Sequence, residues 1–190
     1  MNRADAMELL RQYVTNEALI RHMLSVEAAM ARYAGRFSQD EHTWRIVGLL
    51  HDFDYERFPN PPDHTREGAK ILRDRGLSEE IVSAILSHAD WNLDEYPRDT
   101  PIRKTLFAVD ELCGFIYAAA LVRPERLAGM KAGSIRKKLK QKSFAAAVSR
   151  EDITAGAELL DIPLDEHITE CIAAMSADAH TLGLAPSEAP

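Results

Sequence analysis

Apolar residues recur every three or four positions along almost the whole 190-residue chain, and no run alternates with the period of a strand. That spacing points to helices throughout, because only a helix gathers such residues on one face. The stripe Leu19, Met23, Val26, Met30, Tyr33 predicts a helix from an N-cap at Thr15 to about Ala34. A first helix is expected from Asp5 to Val14, and a third from Asp40 to His51 with Trp44, Val47 and Leu50 inward. Pro59-Asn60-Pro61-Pro62 can only be a loop. Asp63 then caps a helix to about Arg75, closed by Gly76, and Ser78 opens another to about His88. Thr100-Pro101, a cap followed by proline at the first helical position, starts a long helix to about Val122. A basic helix is expected from Ser134 to Val148, and the last begins near Pro163. The expected fold is all-α: a bundle core over 1–122, a C-terminal helical cap over 123–183 on the same domain, and a flexible tail over 184–190.

Polar residues interrupt the apolar faces at particular places. His22 lies three residues after Leu19 and four before Val26, on the inner face of its helix. His51 follows Val47 by four, His88 follows Ile85 by three, and His64 is in phase with Gly68 and Ile71. Asp110 sits mid-helix, four after Leu106 and three before Cys113, where an unpartnered carboxylate would be costly. One such histidine is most simply a satisfied core residue. Several of them, with Asp52 and Asp110, on different helices, are hard to satisfy separately, and a bound cation would serve them together. Imidazole nitrogens and carboxylate oxygens suit Mn, Fe, Co, Ni, Zn or Mg. The two cysteines, Cys113 and Cys171, stand in apolar helical patterns outside this set, which argues against a structural zinc site and for a reducing, cytoplasmic compartment.

Four segments carry a resemblance: Asn16-Glu17-Ala18-Leu19-Ile20-Arg21-His22, Gly48-Leu49-Leu50-His51-Asp52, Ser87-His88-Ala89-Asp90 and Ala108-Val109-Asp110-Glu111-Leu112. In this order the chain resembles the HD superfamily of metal-dependent phosphohydrolases over about Asn16 to Leu121. The resemblance implies that His22, His51, Asp52 and Asp110 ligate one divalent metal. It also matches His64 and His88 to the two extra histidines of dinuclear members, such as bacterial dinucleoside tetraphosphatases and HD-GYP phosphodiesterases, in which Asp52 would bridge two ions. No GYP tripeptide is present. Three activities are compatible with the likeness: a phosphohydrolase using metal-activated water, a mixed-valent di-iron oxygenase, and a non-catalytic ligand-binding signalling module. Asp54, two residues beyond Asp52, is a candidate general acid or base, or an orienter of water.

The formal charge of -7 argues against a duplex nucleic-acid binder. It is unevenly spread. Arg123 to Arg150 holds nine Lys/Arg and one acid, Glu125, a local +8 that leaves -15 on the remainder. The basic stretch is a candidate lid for an anionic substrate, with Lys137 and Lys138 as the foremost phosphate contacts and Lys104 as a further one. The expected partner is a small phosphorylated molecule or nucleotide, with a homodimer left open. No membrane partner is expected, because the longest apolar stretch, Leu112 to Val122, is too short to cross a bilayer.

Overall fold

A computed structural model of the chain describes residues 1–186. Among them are ten α-helices and one 3₁₀ turn, and no strand. Two long helices form the frame, α2 (Glu17–Arg36) and α6 (Pro101–Leu121). Around them in chain order stand α1 (Arg3–Tyr13), α3 (Glu41–Leu50), α4 (Asp63–Asp74), α5 (Glu79–Leu86), α7 (Ala132–Leu139), α8 (Arg150–Leu159), α9 (Leu164–Ala177) and α10 (Ala179–Leu182).

The expected stripe of α2 is buried at Met23, Val26, Met30 and Tyr33, with Ile20 and Ala29 beside it. Its cap is Asn16 rather than Thr15: the Asn16 side chain accepts from the Ala18 amide at 2.9 Å. Thr15 is occupied elsewhere, its hydroxyl donating to Glu56 at 2.6 Å. The same carboxylate takes the Thr15 and Asn16 amides, tying the start of α2 to the loop after α3. Asp40 caps α3 as its sequence suggests, accepting from the Thr43 amide at 2.8 Å. Asp63 caps nothing, since the residue ahead of α4 is Pro62. Thr100 and Ser78 stand at the cap positions of α6 and α5, but neither side chain makes a capping bond.

α2 packs most closely on α3, and α6 lies between α2 and α8. Each fully buried Leu, Ile or Phe of this seam contributes about 1.5–3 kcal/mol. An exposed ion pair such as Arg73–Glu79 contributes about 1 kcal/mol at most. Apolar burial therefore holds the helices, and glycines set how closely they approach. A Cβ at Gly48 of α3 would lie 2.8 Å from the Glu27 Cα of α2, and one at Gly156 of α8 would lie 2.6 Å from the Ala108 Cα of α6.

The C-terminal extension departs from expectation in one element. The basic helix stops at Leu139 instead of reaching Val148. The Arg150 guanidinium donates to the carbonyls of Ala145 and Val148, at 2.7 and 2.6 Å, and also to that of Phe144. Those acceptors are bound as a set of turns, and Ser149 then caps a fresh helix by accepting from the Asp152 amide at 3.1 Å. α9 is fixed by His167, whose Nε2–H donates to the Ala108 carbonyl at 2.8 Å while Nδ1 accepts from the Tyr33 hydroxyl at 2.6 Å. Leu184, expected in the frayed tail, is fully buried. Residues 187–190 of that tail lie outside the described residues. Cys113 and Cys171 are free and buried.

Gly156→Ala is expected to force α8 away from α6 and destabilise the protein by about 1–3 kcal/mol. Gly133→Ala, with nothing within 4 Å of the added carbon, should leave stability unchanged or slightly higher. Urea unfolding of the two variants beside the parent checks both.

Candidate metal centre

Six side chains predicted from sequence converge from five places in the fold. His22 comes from α2 and Asp110 from the middle of α6. His51 ends α3, and Asp52 follows it in the turn. His88 follows α5. His64 opens α4, where the backbone is not helical: His64 has ψ 135 and Thr65 has φ 67. A β-branched residue at positive φ is strained, and such strain persists where surroundings enforce it. Here Asn92, itself buried, donates to the Thr65 hydroxyl at 2.8 Å and to the Leu86 carbonyl at 3.0 Å. The kink turns His64 inward.

The six side chains form two groups sharing Asp52. On one side the His22 Nε2 lies 3.0 Å from Asp110 Oδ1 and 3.2 Å from the His51 Nε2. The His51 Nε2 is 3.5 Å from Asp110 Oδ1 and 3.7 Å from Asp52 Oδ2. On the other side Asp52 Oδ1 faces the His64 Nε2 at 3.3 Å and the His88 Nε2 at 3.2 Å. The triads His22–His51–Asp52 and Asp52–His64–His88 each have donor atoms close enough to hold one metal ion.

Hydrogen bonds behind the rings decide whether this set suits a cation. The His51 Nδ1 faces the Gly48 carbonyl at 2.9 Å, and the His88 Nδ1 faces the Ile85 carbonyl at 2.6 Å. Carbonyls only accept, so both Nδ1 atoms carry hydrogen. The His64 Nδ1 likewise donates to Asp54 Oδ1 at 3.0 Å. Each Nε2 of a neutral ring then aims a lone pair at carboxylate oxygens, which is repulsive unless a proton or metal lies between. This is the outer arrangement that orients metal-binding histidines. Burial opposes charging His51, yet Asp52 and Asp110 outweigh it and push its pKa up to about 9. For His64 burial is likewise overcome, by Asp52 and Asp54, again to about 9. Burial works against the Asp110 carboxylate too, but His51 and His22 hold it well below the usual range. The site demands positive charge, and its donors fit a metal.

Other sequence expectations are corrected. Asp54 is fully buried behind His64, and its second oxygen accepts the Gly68 amide at 2.9 Å. It orients the His64 ring and is not exposed to act as general acid or base. A Cβ at Gly68 would lie 2.7 Å from that oxygen, so the contact requires glycine. A cavity of about 460 Å³ opens over the cluster, and Lys104, Lys137 and Lys138 are absent from its wall. Six residues before Asp110, Lys104 points about 120° away around α6. Lys138 lies over the Phe144 ring at 4.2 Å. The extension reaches the cavity through Ala147, Val148 and Asp152 instead.

Sequence reading missed Arg98, which donates to the Ser87 and His88 carbonyls at 3.0 and 2.6 Å and to Asp90 at 2.6 Å. It locks the His88 loop, and no spacing signals it. Glu111 was also passed over, although it adjoins Asp110 and lines the cavity. Burial, with help from Asp110, raises its pKa to about 7.

An all-α bundle with two His/Asp groups that could each hold a metal defines a class of helical domain. The HD domain family model matches residues 19–113, half of the chain, and the protein belongs to that family, whose members are mostly metal-dependent hydrolases. No solved structure matches the chain.

Asp54→Asn keeps the volume but weakens the hold on His64. Loss of such a partner costs about 10–100-fold in metal affinity, and the expected result is a drop in metal bound per chain, read by elemental analysis after dialysis. In metal-stripped protein, the raised values of His51 and His64 give stability that is full below about pH 6.5 and lost as pH rises through about 9. Denaturant unfolding across that window should show the decline, and metal-loaded protein should not.

Proposed function

We propose that the protein is a metal-dependent phosphohydrolase acting on a small phosphorylated molecule or nucleotide, as a phosphomonoesterase or phosphodiesterase. The observation that carries this reading is Asp52, whose two oxygens face separate histidine groups, as a bridging carboxylate between two ions would. His22, His51, Asp52 and Asp110 would hold one ion, and Asp52, His64 and His88 the second. The imidazole-rich, thiol-free set favours Mn, Fe, Co, Ni or Zn over Mg. When bound, such ions activate water and neutralise charge on the phosphoryl group.

The chain's own residues do the positioning. Asp54 fixes the His64 ring, and the Gly48 and Ile85 carbonyls fix those of His51 and His88. Arg98 packs its guanidinium 3.6 Å above the Phe107 ring, bracing the cavity wall beside His88. Tyr55, Trp91 and Phe107 give that wall its aromatic surface. Duplex nucleic acid and membranes are not proposed as partners, and no helix among the described residues is long and apolar enough to cross a membrane.

The test is protein purified without chelator, reloaded with each divalent ion and assayed on p-nitrophenyl phosphate, its bis ester and a nucleotide panel. Phosphate-ester cleavage is expected, with His51→Ala losing its metal and at least about a hundredfold in turnover. No cleavage with any ion between mildly acidic and alkaline pH would sink the reading. Oxygen uptake by the iron form, with a mixed-valent EPR signal and no ester cleavage, would replace it with the di-iron oxygenase.

A further inference from the structure

The cavity over the metal centre has a wall chemistry unlike that of a polyphosphate site. Its volume of about 460 Å³ falls in the ~300–1,000 Å³ range of small-molecule pockets. No Lys or Arg lines it among the described residues. Beyond the candidate ligands, its charged groups are Asp90, Glu111 and Asp152, all acidic, and only Asp90 has an ion-pair partner, Arg98.

The aromatic groups are placed just as distinctively. Tyr55 and Trp91 both pack against the His64 ring, with centroids at 5.1 and 5.9 Å. Yet Tyr55 is 44% exposed and Trp91 42%, among the few large apolar side chains left in water. Exposed aromatic faces at the mouth of a polar cavity are stacking surfaces for a planar group. The same cavity holds acceptors with spare capacity. Glu111 takes one hydrogen bond, from the Ser149 amide at 3.2 Å. The Asp152 carboxylate has no hydrogen-bond or ion-pair partner among the described residues; its backbone amide alone is engaged, with the Ser149 hydroxyl.

Resting on the hydrolase reading, we infer that the cavity selects a phosphate monoester of a flat, N–H-bearing ring compound, stacked on Trp91 and Tyr55 and donating to Asp152 and Glu111, and that it rejects di- and triphosphates. One phosphoryl group can be matched by the metal centre. Each further phosphate would bring negative charge against a wall that offers carboxylates and no cation. In the reaction, water oxygen bonds to phosphorus, the ester P–O bond breaks, and a proton from water passes to the departing alcohol, giving free alcohol and inorganic phosphate.

Tryptophan fluorescence reads binding without turnover, since Trp91 is exposed and the other tryptophan, Trp44, is buried. The metal-loaded protein is titrated with AMP, purine riboside 5′-monophosphate, ATP and glycerol 3-phosphate. AMP should quench saturably, and Trp91→Phe should abolish the quench. Purine riboside 5′-monophosphate, whose ring has no N–H to donate, and glycerol phosphate, without a ring, should bind about tenfold weaker. ATP should be weaker by at least about tenfold. Asp152→Asn should shrink the gap between AMP and purine riboside 5′-monophosphate with metal content unchanged. ATP or glycerol phosphate binding as tightly as AMP, or no quench by any of them, overturns the inference. p-Nitrophenyl phosphate turnover run in parallel separates the two readings. Turnover without AMP selectivity leaves hydrolysis and overturns this recognition, whereas selective binding without any phosphate release supports the recognition and overturns hydrolysis.

Discussion

The carboxylate of Asp52 stands between two sets of imidazole nitrogens, each within 3.7 Å of one of its oxygens. Burial alone would favour its neutral form, but the neighbouring His51, His64 and His88 hold its pKa well below the ordinary range. The charge is thus fixed in place, and what neutralises it must come from protonated rings or from metal. Protonation on the Nε2 atoms competes directly with ligation, because the Nδ1 atoms of three rings are already committed to acceptors behind them. A proton and a metal ion are alternative answers to one electrostatic demand.

The rest of the fold serves to hold the facing groups at the right height. Gly48 does two things: its lack of a side chain lets α3 lie against the Glu27 backbone, and its carbonyl sets the His51 tautomer. Ala108, two residues before Asp110, is pinned from two directions, by Gly156 of α8 in close contact and by the His167 ring of α9 at its carbonyl. Burial lowers the pKa of His167, in keeping with a neutral ring that donates at one nitrogen and accepts at the other. The C-terminal extension, then, is more than a cover. It fixes the position of the helix that carries one of the site's carboxylates.

The helices were legible because they obey the 3.6-residue period, and five of the six inward groups stood in phase with it, while Asp52 came from the likeness to a known family. His22, His51 and Asp110 are visible as interruptions of an apolar stripe. What escaped has no period. His64 itself was picked out, but not the kink that turns it inward, a positive φ at Thr65 held by Asn92 across 27 residues of chain. Arg98 acts through carbonyls, which every residue has. The end of the basic helix at Leu139 depends on where the Arg150 guanidinium reaches, and local propensity favoured continuing it. Asp54 misled for a related reason: being two residues from Asp52 suggested the open site, while its side chain turns back toward Gly68.

The charge asymmetry changes meaning once the chain is folded. A +8 stretch in the sequence invites the view that lysines grip an anionic substrate. In the fold, Arg136 faces Asp165 of α9 at 3.2 Å and Lys138 covers an aromatic ring, so part of that charge is spent on holding the extension together. The cavity receives the uncharged Ala147 and Val148 and the acidic Asp152 from the same region. A long-range positive field can still speed the approach of an anion, falling off over a Debye length of about 8–10 Å. Such a field steers without discriminating, since it acts on any anion alike. Discrimination has to arise where groups touch, and the groups that touch are aromatic faces and carboxylates. Steering by one part of the extension and selection by another are compatible, because the first depends on total charge and the second on contact chemistry.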